Sequence, residues 1–161
     1  MLGSFAPKIS SLLLLFPLLF SSGRVYAQSP IVPSPALERS LCANTFATEK
    51  LWFWQSRLKL QEWNISVVMA RASELKPKTL GNIHWDSDKK TATISVLDPA
   101  DYRIPAAEMY DDMEFTVVHE LIHLEFAPVL SDVTRNSASR REEEHAVNQM
   151  ADALLKLQRG R

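Results

Sequence analysis

The stretch Val118-His119-Glu120-Leu121-Ile122-His123 constrains this chain more than any other. Around it, Phe115, Val118, Ile122 and Phe126 recur at three- and four-residue steps, which predicts a helix with an apolar stripe running past the histidines. In such a helix His119 and His123 lie one turn apart, about 6 Å along the axis. Both imidazoles then leave the same face, the spacing that two ligands of one metal ion need. Asp111, Asp112 and Glu114 fall near the expected start, where carboxylates suit the positive end of the helix dipole. The helix is expected over about 110–126, with Pro128 stopping it. The plainer reading of the same letters is a helix whose two histidines are satisfied by solvent or core.

The N-terminus reads as a targeting segment. Lys8 supplies a positive charge, residues 9–20 are a Leu-rich apolar run broken by Pro17, and Val25-Tyr26-Ala27 offers small residues where a signal peptidase needs them. The expectation is a signal peptide over 1–27, a protein exported to the periplasm or secreted, and no stable membrane association after cleavage. The apolar run is short for a membrane span. Without Lys8 and Arg24 the remainder carries 16 basic and 19 acidic residues, a net charge near −3, which gives no footing for nucleic acid or an anionic membrane. Residues 28–161 suit one domain with a real core. The single Cys42 has no internal disulfide partner, and it is expected as a small buried residue on a helix without a catalytic role.

Residues 28–35 form a Pro-rich lead-in. The pattern from 36 to 62 is helical, with Leu37, Leu41, Leu51, Trp54 and Leu58 at helical steps; Trp52 and Phe53 make its middle apolar nearly all round, which favours core packing. Residues 63–70 are β-branched and partly alternating, a strand. Residues 74–79, with Pro77, are a turn or loop. Residues 80–85 and 91–97 read as two further strands around hairpin-turn chemistry at 86–90, with Ala92, Ile94 and Val96 sharing one face. A polar loop is expected over 127–138. Ser139 and Glu142 have capping-box spacing, so a last helix is expected to about Gln158, buried along Val147, Met150, Ala151, Leu154 and Leu155. The fold class is therefore α+β: an N-terminal helix, a small, mainly antiparallel three-stranded sheet, the helix of the His-Glu-x-x-His motif and a C-terminal helix.

Glu120, beside the histidines, occupies the general-base position of a zinc hydrolase. Two histidines do not complete such a site, which needs a third protein ligand and a position for water. No third histidine follows closely, and the remaining candidates are Glu142, Glu143 and Glu144. Glu142 has a capping role to fill. Periodicity does not separate Glu143 from Glu144, but Asn148 lies four residues after Glu144 and on the same face, where it can bond a ligand imidazole. Glu144 is therefore preferred, with Glu143 as the alternative; otherwise all three simply complement the helix dipole.

His119-Glu120-x-x-His123 followed by Glu144-x-x-x-Asn148 resembles the gluzincin branch of the zincin metallopeptidases. The separation of 21 residues between His123 and Glu144 is similar to that of minimal gluzincins. Asn148 stands where thermolysin-like members carry an Asp. The likeness is strong over 115–155 and only architectural over 50–97. It implies a minimal zincin-like domain over 36–161. It also implies one zinc ion on His119, His123 and Glu144, and hydrolysis of a peptide bond in a peptide or protein substrate through a metal-activated water, with Glu120 as base. His84, Tyr102 and His145 are the ring donors available to an oxyanion, and none is preferred. Two rival classes remain: an exported metal- or partner-binding protein that keeps the scaffold but cleaves nothing, and a carbohydrate-binding module using Trp52, Trp54, Trp63 and Trp85. Glu120 speaks against the first, since a structural site has no use for a base beside its ligands. Helical spacing of the first two tryptophans speaks against the second.

Overall fold

The structure is a computed structural model and describes residues 34–160 except 132 and 135; the signal-peptide reading of 1–27 falls outside these residues. Helix α1 spans Pro35–Arg57, strands β1, β2 and β3 span Asn64–Ala70, Gly81–Asp86 and Thr91–Leu97, helix α2 spans Ala106–Leu130 and helix α3 spans Ser137–Arg159. A single 3-10 turn, Pro99–Asp101, joins β3 to α2. Among the described residues the class is α+β, with three helices and one mixed three-stranded sheet. Among the described residues no helix is long and apolar enough to cross a membrane.

The sheet order is β1-β3-β2. The β2–β3 hairpin is antiparallel, as its turn chemistry requires, but β1 runs parallel to β3. The expectation of a mainly antiparallel sheet is thus corrected: one of its two pairings is parallel. Alternation identifies strands, but it does not say that β3 will insert between β1 and β2. Ile65, Val67 and Met69 of β1 pair with Ala92, Ile94 and Val96 of β3, which face Trp85, Ile83 and Gly81 of β2. This common face is covered by α1 and α2, and α3 packs on α2. The other face is exposed over Asn64, Ser66 and Val68, with Ser66 Oγ 3.3 Å from Thr93 Oγ1, while Ala70 and Leu97 at its end are buried with Leu75.

Helix α1 begins at the end of the expected lead-in. Ser34 Oγ accepts from the Leu37 N–H and Pro35 takes the first turn, where its missing N–H costs nothing. Its buried stripe is Ala43, Ala47, Leu51 and Trp54. Two expectations fail here: Trp52 is 65 % exposed and Cys42 is exposed. Both lie off the stripe that faces the core. With Trp54 and Trp63 buried and only Trp52 and Trp85 reaching solvent, the four tryptophans form no common platform.

Helix α2 is the centre of the molecule and is buried on several sides, by Met113, Val117, Val118, Leu121, Ile122 and Leu124 among others. It starts four residues earlier than expected and passes through Pro128 before ending at Leu130. Only two residues follow the proline, so its missing donor falls in the last turn, and Ser131 Oγ donates to the Pro128 carbonyl. Because of the earlier start, Asp111, Asp112 and Glu114 are not first-turn residues. Asp112 accepts from Tyr102 Oη at 2.8 Å. Burial raises the Asp112 pKa, and that hydrogen bond opposes the rise.

Glu114 is only 6 % exposed. Its Oε1 accepts from Trp54 Nε1 at 3.0 Å and pairs with Lys50 Nζ at 3.0 Å; its Oε2 accepts from Arg159 Nη2 at 3.2 Å. All three long helices meet at this one carboxylate. In α3 the cap is Asn136, whose Oδ1 accepts from Ala138 N and Ser139 N, while Ser139 Oγ accepts from Asn136 N. The expected capping box therefore sits one helical turn earlier, with Ser139 in its third position and Glu142 free of any capping role. Val147, Ala151 and Leu155 are buried as expected, but Met150 is exposed.

Candidate metal centre

α2 delivers His119 and His123 from one face, and α3 delivers Glu144 opposite them. His119 Nε2 and His123 Nε2 are 3.0 Å apart, and the two Glu144 oxygens lie 3.4 Å from these same nitrogens. A tetrahedral ion with ligand bonds near 2.0–2.1 Å would set its ligand atoms about 3.3 Å apart. The three side chains therefore have the edge lengths of such a site, and one ligand atom from each falls within 4.8 Å of the others. The donor set, two imidazoles and a carboxylate, suits a borderline divalent cation; it does not by itself single out zinc.

A hydrogen bond to Glu143 orients the His123 ring. His123 Nδ1 lies 3.0 Å from Glu143 Oε1. A carboxylate oxygen only accepts, so Nδ1 carries the proton and Nε2 presents its lone pair toward Glu144 and His119. Glu143, the alternative candidate ligand, thus orients the His123 ring from behind. Asn148 lines the cleft on the same side as His119, and its side chain favours that ring's charged form. His119 Nδ1 is buried and, among the described residues, has no hydrogen-bond partner. Burial, and then the neighbouring His123, lower the His119 pKa, which favours the neutral imidazole that a metal ion requires. Glu143→Gln should weaken divalent-metal binding by about 10–100-fold. Glu144→Gln should weaken it further, as calorimetric titration of each variant would show.

Glu120 points from the same helix into the cleft and is 6 % exposed. Burial, followed by the charge of Glu144, pushes its pKa up to about 8. A dication held by the neighbouring histidines would draw it down again. Gly81, the first residue of β2, lies against this part of α2. A Cβ there would stand 2.4 Å from Thr116 Cγ2, 2.7 Å from the Ser95 carbonyl oxygen and 3.6 Å from Glu120 Oε1. Glycine is required for space, not for its dihedral freedom. Gly81→Ala should destabilise the domain by about 1–3 kcal/mol through overpacking against Thr116 and the Ser95 carbonyl, visible as a lowered thermal midpoint.

The cleft measures about 590 Å³ and is walled by β2 (Gly81, Asn82, Ile83, Trp85), α2 and α3. The three ring donors weighed for an oxyanion are elsewhere. His84 is exposed and does not line the cleft, Tyr102 donates to Asp112, and His145 is exposed and bonded to Gln149 Nε2. Among the residues that do line it and were not singled out are Gly81, Asn82, Lys76, Lys78 and Arg140. Arg140 was readable from periodicity, four residues before Glu144. The others depend on where the loop before β2 lies.

Comparison with known proteins finds no family model, no curated protein and no solved structure that matches the chain. The functional reading rests on the geometry described above.

Proposed function

We propose that this protein is an exported peptidase of the gluzincin type, working with one divalent metal ion, zinc in the first instance. The observation that carries the proposal is the near-tetrahedral set of His119, His123 and Glu144 with a buried carboxylate, Glu120, one residue from the first ligand. A divalent ion in this set would supply Lewis acidity toward a water and a substrate carbonyl. Glu143 holds the His123 ring in its ligating tautomer. Glu120 accepts a proton from the attacking water and returns it to the leaving amine. β2 is an edge strand, with its free side on the cleft, so an extended peptide can add to the sheet beside Glu120.

Metal analysis of the purified protein, followed by a peptide-library cleavage assay on the zinc-loaded form, tests the proposal. Cleavage that depends on metal and on Glu120 is the expected result. Metal uptake without cleavage of any peptide would favour the non-catalytic binding protein, and absence of metal uptake would remove the basis of both readings.

A further inference from the structure

Three cations line the cleft without any part in the metal centre: Lys76, Lys78 and Arg140. All three are exposed, and among the described residues none has a carboxylate within salt-bridge distance. The acidic groups of the same cleft are directed elsewhere. Glu143 bonds His123 Nδ1, Glu144 turns both oxygens to the imidazoles, and Glu120 is buried. The cleft therefore has its negative charge on the floor, beside the metal ligands, and unpaired positive charge at its exposed margin.

The placement of these cations is fixed by the backbone. Lys76-Pro77-Lys78-Thr79 is a tight turn in which Thr79 N and Thr79 Oγ1 both donate to the Lys76 carbonyl, at 3.1 and 2.8 Å. Lys78, its third residue, has φ +67°, the region where a type II turn normally places glycine. Lysine occupies a position whose backbone asks for none of its side chain. Arg140 shares a helix face with Glu144 and Asn148, so it overlooks the same space from the opposite wall.

We propose that the cleft selects peptides carrying a carboxylate close to the reacting bond, gripped between Lys76, Lys78 and Arg140. The inference rests on the peptidase reading for its reaction, but on these three residues for its specificity. Gly81 is level with Glu120, and the turn immediately precedes it. A peptide lying antiparallel to β2, the slightly more stable pairing, runs its C-terminal end toward that turn. The carboxylate is therefore expected on the C-terminal side of the bond, one or two residues away. An Asp or Glu side chain and the chain's own terminal carboxylate offer the same chemistry.

The test uses the zinc-loaded full chain and a matched peptide set: Glu or Gln at the first and second positions after the bond, each with a free or an amidated C-terminus. Cleavage rates give the preference in turnover; calorimetric titration of the same peptides into the Glu120→Gln protein gives it in binding. The expected result is a preference of about tenfold or more for the carboxylate-bearing peptide, shrinking as salt is raised. The preference should fall toward one in Lys76→Gln, Lys78→Gly and Arg140→Gln, and persist in Lys156→Gln. Lys78→Gly also relieves the turn's positive φ, so its loss of preference cannot be assigned to misfolding. The side-chain and terminal arms show which carboxylate is read. Cleavage without preference overturns the inference and leaves the peptidase reading standing. Preferential binding without cleavage does the reverse, and neither binding nor cleavage overturns both.

Discussion

Glu120→Gln is expected to keep its metal and lose peptide hydrolysis by about 10²–10⁴-fold, the usual worth of a positioned general base. The amide has nearly the same shape, so His119 and His123 on either side keep their places. A second readout is independent of catalysis. In the metal-free protein, burial and Glu144 raise the Glu120 pKa from the ordinary 4.5 to about 8. A carboxyl raised on folding contributes its stability below pH 4.5 and loses it as pH climbs toward 8. Between those values folding must confine a proton or bury a charge, and Gln is spared this. Glu120→Gln should therefore raise the metal-free melting temperature at neutral pH and not at pH 4. A variant that lost both activity and stability would show Glu120 to be a packing element and would undo its assignment as base.

Glu114→Ala is expected to cost about 3–5 kcal/mol, because removal of one partner strands the others in a buried site. Lys50, Trp54 and Arg159 would all lose the same acceptor, and α1, α2 and α3 their common tie. Against a total stability of about 5–15 kcal/mol, that threatens the fold itself. Glu114→Gln keeps the volume and one acceptor and should lose less. The same carboxylate predicts an acid limb. Burial alone would raise its pKa, but Trp54, Lys50 and Arg159 together outweigh burial and hold it below the ordinary 4.5. A depressed carboxylate contributes stability above pH 4.5, and that contribution fades as pH falls through the folded value. Chemical denaturation from pH 7 to pH 3 should show the wild type losing stability below pH 4.5, with a shallower fall in Glu114→Gln.

Both residues come from one helix, and the sequence made one of them far easier to read. His119, Glu120 and His123 were legible because their spacing and chemistry coincide with a strong apolar period. Glu114 looked like a dipole-complementing carboxylate because nothing local marks the true start of α2; Pro105 begins it without a side-chain cap. The three strands were legible from alternation, and the face carrying Ala92, Ile94 and Val96 was read correctly, but their order was not. The parallel β1–β3 pairing is a long-range choice made by burial against α1 and α2. Glu143 and Glu144 were both singled out, but their separate parts were not settled, since adjacent residues differ by only about 100° around a helix. Gly81 could not be read at all, because its requirement comes from Thr116 and the Ser95 carbonyl on other elements.

Helix α3 touches the rest of the protein at two charged points far apart. Near its start Glu143 and Glu144 face the imidazoles; at its end Arg159 reaches Asp111 and Glu114. From residue 144 to residue 159 is about 22 Å of helix. Val147, Ala151 and Leu155 seat the helix between these points, so its tilt is held along its whole length and the remote guanidinium helps to aim the carboxylate.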